Sequence, residues 1–159
     1  MRTVRPTLAL LVLLSAAGLA SAQFQPIDKD LLRSSPKFLE PFKSVVATPS
    51  QSTVRVIADG KEVALGTVVE ADGWVLTKWD EIRDRKELSV RLRDGRTFDA
   101  KVIGADEAYD LALLKIDAKG LKAIQWRPSK DARVGRWVAT VGTDEVPLAV
   151  GVVSVATRP

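Results

Sequence analysis

The sequence predicts an all-β domain, an antiparallel barrel or sandwich, behind a short helical leader. Three observations carry this. From Thr53 onward, short runs rich in Val, Ile, Leu and Thr alternate with polar positions, the texture of half-buried strands. Asp59-Gly60, Asp72-Gly73 and Asp94-Gly95 separate successive runs, and Asp-Gly between apolar alternations is a strong hairpin signal. The apolar fraction, 46%, is ordinary for a globular chain and argues against wholesale disorder.

Taken in order, the chain opens with Arg2 and Arg5 ahead of an apolar run over 8–14, followed by Ser15, Ala16, Ala17 and Gly18. Ala20-Ser21-Ala22 then supplies a small-residue cleavage signature before Gln23. These are the three regions of a secretory signal peptide, assigned to residues 1–22. The run is shorter than the ~20 residues a spanning helix needs, so an uncleaved anchor is the weaker alternative. The protein is therefore expected to be exported, to the periplasm or outside the cell, with no stable membrane span after cleavage. What remains, residues 23–159, is 137 residues, enough for one domain and too few for two ordinary ones.

Residues 23–51 hold Pro26, Pro36, Pro41 and Pro49 and read as a leader of short helical turns. Phe38, Leu39, Phe42, Val45 and Val46 make a rough apolar helical face that would dock on the core. Strands are predicted over 53–58, 63–70, 74–77, 88–92, 97–104, 111–116, 137–142 and 149–156, within one domain at 52–159. A short helix is predicted over 80–85, because Asp80 can cap it and Glu81 favours its positive end. No internal repeat or low-complexity tract is present.

Composition narrows the chemistry. The 159 residues include 24 Lys+Arg and 20 Asp+Glu but no His and no Cys. There can be no His general base, thiol nucleophile, disulfide or His/Cys zinc site, leaving only carboxylate sites for hard metals. Catalysis would have to run on Asp, Glu, Lys, Ser, Thr or the single Tyr109. An exported chain without Cys must hold together by its core alone. The formal charge of +4 falls to +2 once 1–22 is removed, since that segment carries two Arg and no acid. The remaining charges read as interspersed, as in Arg83-Asp84-Arg85-Lys86-Glu87, which supports neither nucleic-acid nor anionic-membrane binding.

Several segments, in order and at matching spacing, resemble a known family. Gly66-Thr67-Val68-Val69 with Asp72-Gly73-Trp74-Val75-Leu76-Thr77 resembles the G-S-G-x-x-x-x-x-x-G-Y-x-x-T-N segment of HtrA/Deg-type trypsin-like serine proteases. Val90-Arg91-Leu92-Arg93-Asp94-Gly95-Arg96 and its continuation to Gly104 is similar to the family's V-x-L-x-D-G-R hairpin. Asp106 with Asp110-Leu111-Ala112-Leu113-Leu114-Lys115-Ile116 resembles its D-x-x-x-D-[IL]-A motif. Ser129, Val134-Gly135, Val138-Ala139-Thr140-Val141-Gly142 and Val150-Gly151-Val152-Val153-Ser154 resemble its next two strands. The resemblance runs from about Phe38 to Arg158. It implies an antiparallel Greek-key barrel, the N-terminal barrel of the trypsin-like protease fold, with the second barrel largely absent from these residues.

The same resemblance locates the loss of chemistry. In the family the catalytic His follows the T-N-N run, which here reads Thr77-Lys78-Trp79-Asp80, so Asp80 stands in the His position. The Asp that would orient the His is retained as Asp110. No G-N-S-G-G nucleophile segment occurs in the 159 residues, and the family's N-P-F-G turn reads Thr143-Asp144-Glu145-Val146-Pro147. A carboxylate with an ordinary pKa near 4 is too weak a base for a serine hydroxyl at neutral pH.

Plainer roles stand beside these. Asp80 serves most simply as a helix N-cap, and Asp110 as a buried acceptor for backbone N–H groups at a strand start. If the implied fold brings the two together, they must share a proton, take a cation such as Ca²⁺, or be bridged by Lys78 or an Arg. One pair offers too few oxygens for a firm site, so neither a metal nor another cofactor is expected. Trp74, Trp79, Trp126 and Trp137 are expected as core or interface material, with Trp79 filling the cleft beside the lost His.

Three functions follow. The first is a catalytically inactive trypsin-fold module, a pseudoenzyme that binds or scaffolds a protein or peptide after export. The second is the front part of a longer HtrA-like protease or pseudoprotease with a second barrel and a PDZ domain. The third is an unrelated enzyme using Ser with Lys or paired carboxylates; it lacks support because no Ser sits in a Gly-flanked elbow. A first barrel without its partner would leave the strand near 149–155 uncovered, which favours self-association or docking of a protein partner.

Overall fold

The computed structural model describes residues 28–32 and 34–155. The predicted signal peptide, the first residues of the leader and residues 156–159 lie outside the described residues. Among those described, six strands close a barrel in the order β1-β2-β3-β6-β5-β4, and two more form a separate hairpin. The barrel strands are β1 (Thr53–Ala58), β2 (Lys61–Glu70), β3 (Trp74–Lys78), β4 (Leu88–Arg91), β5 (Thr97–Asp106) and β6 (Leu111–Ile116). The hairpin pairs β7 (Trp137–Thr140) with β8 (Ala149–Val152). Every pairing is antiparallel, and β4 returning to β1 closes the cylinder and removes its edges.

The barrel forms because alternate side chains in these strands are small or β-branched and point inward. Val54, Val56, Val68, Val75, Val90, Ala112, Leu114 and Ile116 are buried together, and Ile82 plugs one end. Thr77, buried in β3, is paired: its hydroxyl donates to the Leu65 carbonyl at 3.0 Å. Burying a Val or Leu side chain contributes about 1.5–3 kcal/mol, so this cluster supplies the cohesion that disulfides give other exported domains.

The turns follow their chemistry. Asp59 and Gly60 both have positive φ, 49° and 78°, the two-residue type I′ turn that joins twisted strands. The Asp59 carboxylate also accepts from the backbone N–H groups of Lys86 and Glu87, each at 3.2 Å. That second task pins the β3–β4 connection to the turn.

The leader consists of short helical turns, including α1 (Pro36–Leu39) and α2 (Lys43–Val46). The Ser35 hydroxyl caps α1 by accepting from the Phe38 N–H, with Pro36 at the first position. Leu39 and Val46 are buried as expected, whereas Val45 points to solvent because four-residue helices cannot present all five apolar residues to one side. Phe38, Phe42 and Trp137 form a chain of ring contacts, 5.9 and 5.5 Å between centroids, that joins leader to hairpin.

Other expectations need adjusting. β2 begins at Lys61 and β5 continues to Asp106, because the tight Asp59-Gly60 turn and a bulge between Val102 and Gly104 let pairing run further. β7 ends at Thr140 and β8 at Val152, shorter than predicted. The helix predicted over 80–85 is a single turn, in which the Trp79 carbonyl accepts from Ile82 and Arg83. Trp126 and Trp137 are not core residues; they stand 68% and 61% exposed.

Candidate functional site: the Asp80–Asp110 corner

The corner is built by the β3–β6 pair. Lys78, the last residue of β3, lies opposite Leu111, the first of β6, so the residues just beyond both ends meet. Asp110 adopts a positive φ of 53°, which turns the chain into β6; Asp tolerates this better than most residues do. The Trp79 N–H donates to the Asp110 carbonyl at 3.3 Å, and the Asp80 N–H donates to Asp110 Oδ1 at 2.7 Å. Asp110 is thus a backbone acceptor at a strand start, serving the chain that leaves β3, but it is partly exposed and not buried as expected.

The two carboxylates face different cations. Lys78 Nζ lies 3.4 Å from Asp110 Oδ2 and 3.5 Å from Glu81. Asp80 Oδ1 is 3.3 Å from Arg83, whose guanidinium also meets Asp84 at 3.5 Å. No single cation bridges the pair: Lys78 takes Asp110 and Arg83 takes Asp80, so the expected bridge by Lys78 or an Arg is not formed. The N-cap expected of Asp80 is not formed, because its carboxylate turns to Arg83 and the Trp79 carbonyl opens the turn instead. The parts that were not named in advance, Arg83 and Glu81, had a sequence signal: Asp80/Arg83 and Lys78/Glu81 are opposite charges three residues apart.

These contacts set the protonation of the corner. The Asp80 N–H above all holds the Asp110 carboxyl below its ordinary value; partial burial opposes it, and the Lys78 ammonium adds to the lowering. Lys78 is raised in turn, first by its hydrogen bond to Asp110. The fold favours the ionised carboxylate, so the stabilisation is present above the ordinary Asp value near 4 and is lost as pH falls through the depressed folded value. Asp110→Asn is therefore expected to lose less stability than wild type between about pH 5 and pH 2 in thermal melts. Parallel curves for the two proteins would contradict this.

Trp79 packs on the barrel next to Asp80. Its ring is half-buried against the barrel cluster, and its indole N–H is buried without a partner among the described residues. A buried unpaired donor costs about 1–3 kcal/mol. Trp79→Phe keeps most of the packing and removes that donor, so denaturant melts are expected to show a loss of no more than about 1 kcal/mol, or a gain. A loss as large as that of a truncation to Ala would show that the indole N–H has a partner.

No cluster of three or more metal-ligating side chains occurs among the described residues. The geometry offers two carboxylates with separate partners: Asp110 accepts from the Asp80 N–H and meets Lys78, and Asp80 meets Arg83. The Asp110 carboxylate, favoured in its ionised form, holds the Asp80 backbone and the Lys78 charge in position.

A family model for the trypsin-like peptidase domain matches residues 64–157. Probable periplasmic serine endoprotease DegP-like of Ectopseudomonas mendocina is 34% identical over 123 residues, 77% of this chain and 26% of that protein. The protein of the same name from Pseudomonas fluorescens is 39% identical over 85 residues, 54% of this chain and 18% of its own length. That from Hahella chejuensis is 35% identical over 103 residues, 63% of this chain and 22% of its own. The chain thus spans 18–26% of the length of these three relatives. With a closed six-stranded antiparallel barrel, the β3–β6 corner at its end and a match over most of the folded residues, the chain belongs to the trypsin-like peptidase domain family, of the HtrA/Deg type.

Proposed function

We propose that this chain is a catalytically inactive trypsin-fold module that acts in the periplasm by binding protein or peptide. The observation that carries the proposal is the corner itself. Asp80 stands where the family has its His, and the retained Asp110 is bound to the Asp80 N–H and to Lys78 instead of orienting an imidazole. None of the 159 residues is a His, so no other position of this sequence supplies an imidazole. The periplasmic setting rests on the signal peptide read from residues 1–22 and on the names of the relatives. The domain boundaries proposed are 1–22 for the signal, 23–51 for the leader and 52–159 for the barrel and hairpin.

Binding without cleavage has a direct test. Reduced, unfolded casein carrying a fluorophore is expected to gain anisotropy on addition of the protein while its fragment pattern stays unchanged. Unchanged anisotropy across a micromolar range of protein would defeat the binding role. Asp80→His alone is expected to produce no cleavage, because the chain contains no G-N-S-G-G segment to supply a nucleophile. Turnover by Asp80→His, measured on the same casein, would show that a hydroxyl elsewhere serves.

A second reading is favoured by the β7–β8 hairpin. It is a two-stranded sheet paired to no other strand among the described residues, with Val138, Leu148 and Val152 about half exposed. Such a surface fits the start of a second barrel in a longer HtrA-like protein, or self-association of this one. Its loop is already anchored to the rest of the molecule: Arg55 Nε donates to the Thr143 hydroxyl at 2.9 Å, and Lys43 meets Glu145 at 2.7 Å. The coding sequence downstream of Pro159 tests the longer protein, and sedimentation at rising concentration tests self-association.

A further inference from the structure

The barrel opens into a cavity at the end away from the Asp80–Asp110 corner. The corner lies where β3 ends and β6 begins. The cavity lies where β1 begins and where β2 and β4 end, and residues 120–122, a short way beyond the end of β6, close it on another side. Its volume is about 400 Å³. Val54, Val68 and Leu92 form its floor; all three are buried members of the barrel cluster, and Leu121 packs against that cluster from the side. An apolar group entering here would rest directly on the core.

The walls are held in place by the fold. The Leu121 N–H donates to the Ala71 carbonyl at 3.0 Å, and the Ile124 N–H to that of Val68 at 2.9 Å. Across the cavity, the Leu92 N–H donates to the Arg96 carbonyl at 2.8 Å and closes the turn between β4 and β5. Arg93 in that turn donates to the Ser50 hydroxyl at 3.0 Å, which ties the turn to the end of the leader. A ligand would find the site already formed, with little ordering to oppose its binding.

The rim is cationic. Arg93, Arg96 and Lys122 line it, with Asp94 the one acid. Arg96 and Asp94 neutralise each other, with two guanidinium nitrogens each 2.8 Å from Asp94 Oδ2. The acid nearest Arg93 is Glu145 at 3.8 Å, and that carboxylate is already held by Lys43 at 2.7 Å. Lys122 is exposed and forms no ion pair among the described residues. Two positive charges thus stand at the mouth of an apolar cavity without a full counter-charge.

Floor and rim together select the occupant. An inorganic anion would use the cations and leave the floor wet, and a neutral hydrocarbon would do the reverse. An extended peptide finds no free strand edge here, because the barrel is closed. None of the lining residues is aromatic, so a flat ring gains no stacking partner. At roughly 30 Å³ per heavy atom, the share of a water in the liquid, the cavity holds about a dozen such atoms. We propose that this cavity binds a small aliphatic monocarboxylate of about eight carbons. Its tail lies on Val54, Val68, Leu92 and Leu121, and its carboxylate meets Lys122 and Arg93. The site is separate from the Asp80–Asp110 corner and independent of any protein-binding role.

The test titrates octanoate, hexanoate, octanol and inorganic phosphate into the full chain at neutral pH, followed by calorimetry. Octanoate is expected to saturate one site with a dissociation constant of about a millimolar or tighter. Hexanoate, two CH₂ groups shorter, should bind about 15-fold more weakly, about four-fold for each group. Lys122→Gln is expected to weaken octanoate about ten-fold and to leave octanol unchanged, because only the carboxylate uses that charge. Lys122 is exposed and unpaired, so the variant should melt with wild type, which separates lost binding from lost folding. In methyl NMR spectra, octanoate should shift Val54, Val68, Leu92 and Leu121 and leave Leu111 and Leu113 unmoved. Binding that never saturates, equal affinity for octanoate and octanol, or equal binding by Lys122→Gln would each overturn the proposal. Methyl shifts confined to other residues would overturn it too, as would phosphate binding as tightly as octanoate, since the cations alone would then account for it.

Discussion

Gly73→Ala is expected to destabilise the barrel by about 4 kcal/mol or more, a large share of the roughly 5–15 kcal/mol that holds a typical domain. Gly73 sits at φ 105°, where an L side chain is strained, and an added Cβ would lie 2.3 Å from the Ile116 carbonyl oxygen. Backbone cannot move aside as a flexible side chain can. The contact is also part of the ladder, since the Ile116 N–H donates to the Gly73 carbonyl at 2.9 Å. Gly60→Ala and Gly95→Ala are the matched comparisons: both have positive φ but nothing within 4 Å of the new Cβ. Each is expected to cost only the backbone strain, about 1–2 kcal/mol. Equal losses for all three in urea melts would show that close approach at Gly73 plays no part.

Leu114→Ala is the second large effect, about 3–5 kcal/mol. Leu114 is fully buried in the barrel cluster, opposite Val75 on β3 and Val102 on β5. Truncation leaves a cavity that closed walls on all sides cannot collapse to fill. Its neighbour Leu113 points the other way along the strand and is only half-buried, so Leu113→Ala should cost well under half as much. The comparison reads the period of β6 directly from equilibrium unfolding. Both Gly73 and Leu114 hold β3 against β6, whose far end carries Asp80 and Asp110, so losing either removes the candidate site with the fold.

The fold was legible because its signals are local. Inward Val and Leu at alternate positions, with Asp-Gly between strands, specify pairing within a few residues. The helix expected over 80–85 failed because a competing long-range contact decided the matter: Asp110 claims the Asp80 N–H, and Arg83 claims the Asp80 carboxylate. Such a contact joins residues 30 apart and leaves no trace in local propensity. The indoles show the same limit. Trp79 and Trp126 look alike in sequence, yet one packs on the cluster and the other stands in solvent, because only the fold decides which side of a connection faces inward.

At the corner, the identity of the residues was readable and their pairing was not. The resemblance to a protease motif put Asp80 in the place of an imidazole and retained Asp110, and the β3–β6 register brings their backbones together. Which cation each would take depends on side chains that leave the same turn in different directions. Lys78 ends a strand and reaches Asp110, while Arg83 lies one turn on and reaches Asp80.

The central claim is that the Asp80–Asp110 corner organises charge and backbone and does no acid–base catalysis. The most direct measurement is peptide-bond hydrolysis of casein at neutral pH by wild type and Asp110→Ala, purified identically and run side by side. The expected result is no turnover above buffer in either protein. Turnover by wild type that Asp110→Ala abolishes would contradict the claim, because it would make Asp110 part of a working proton relay.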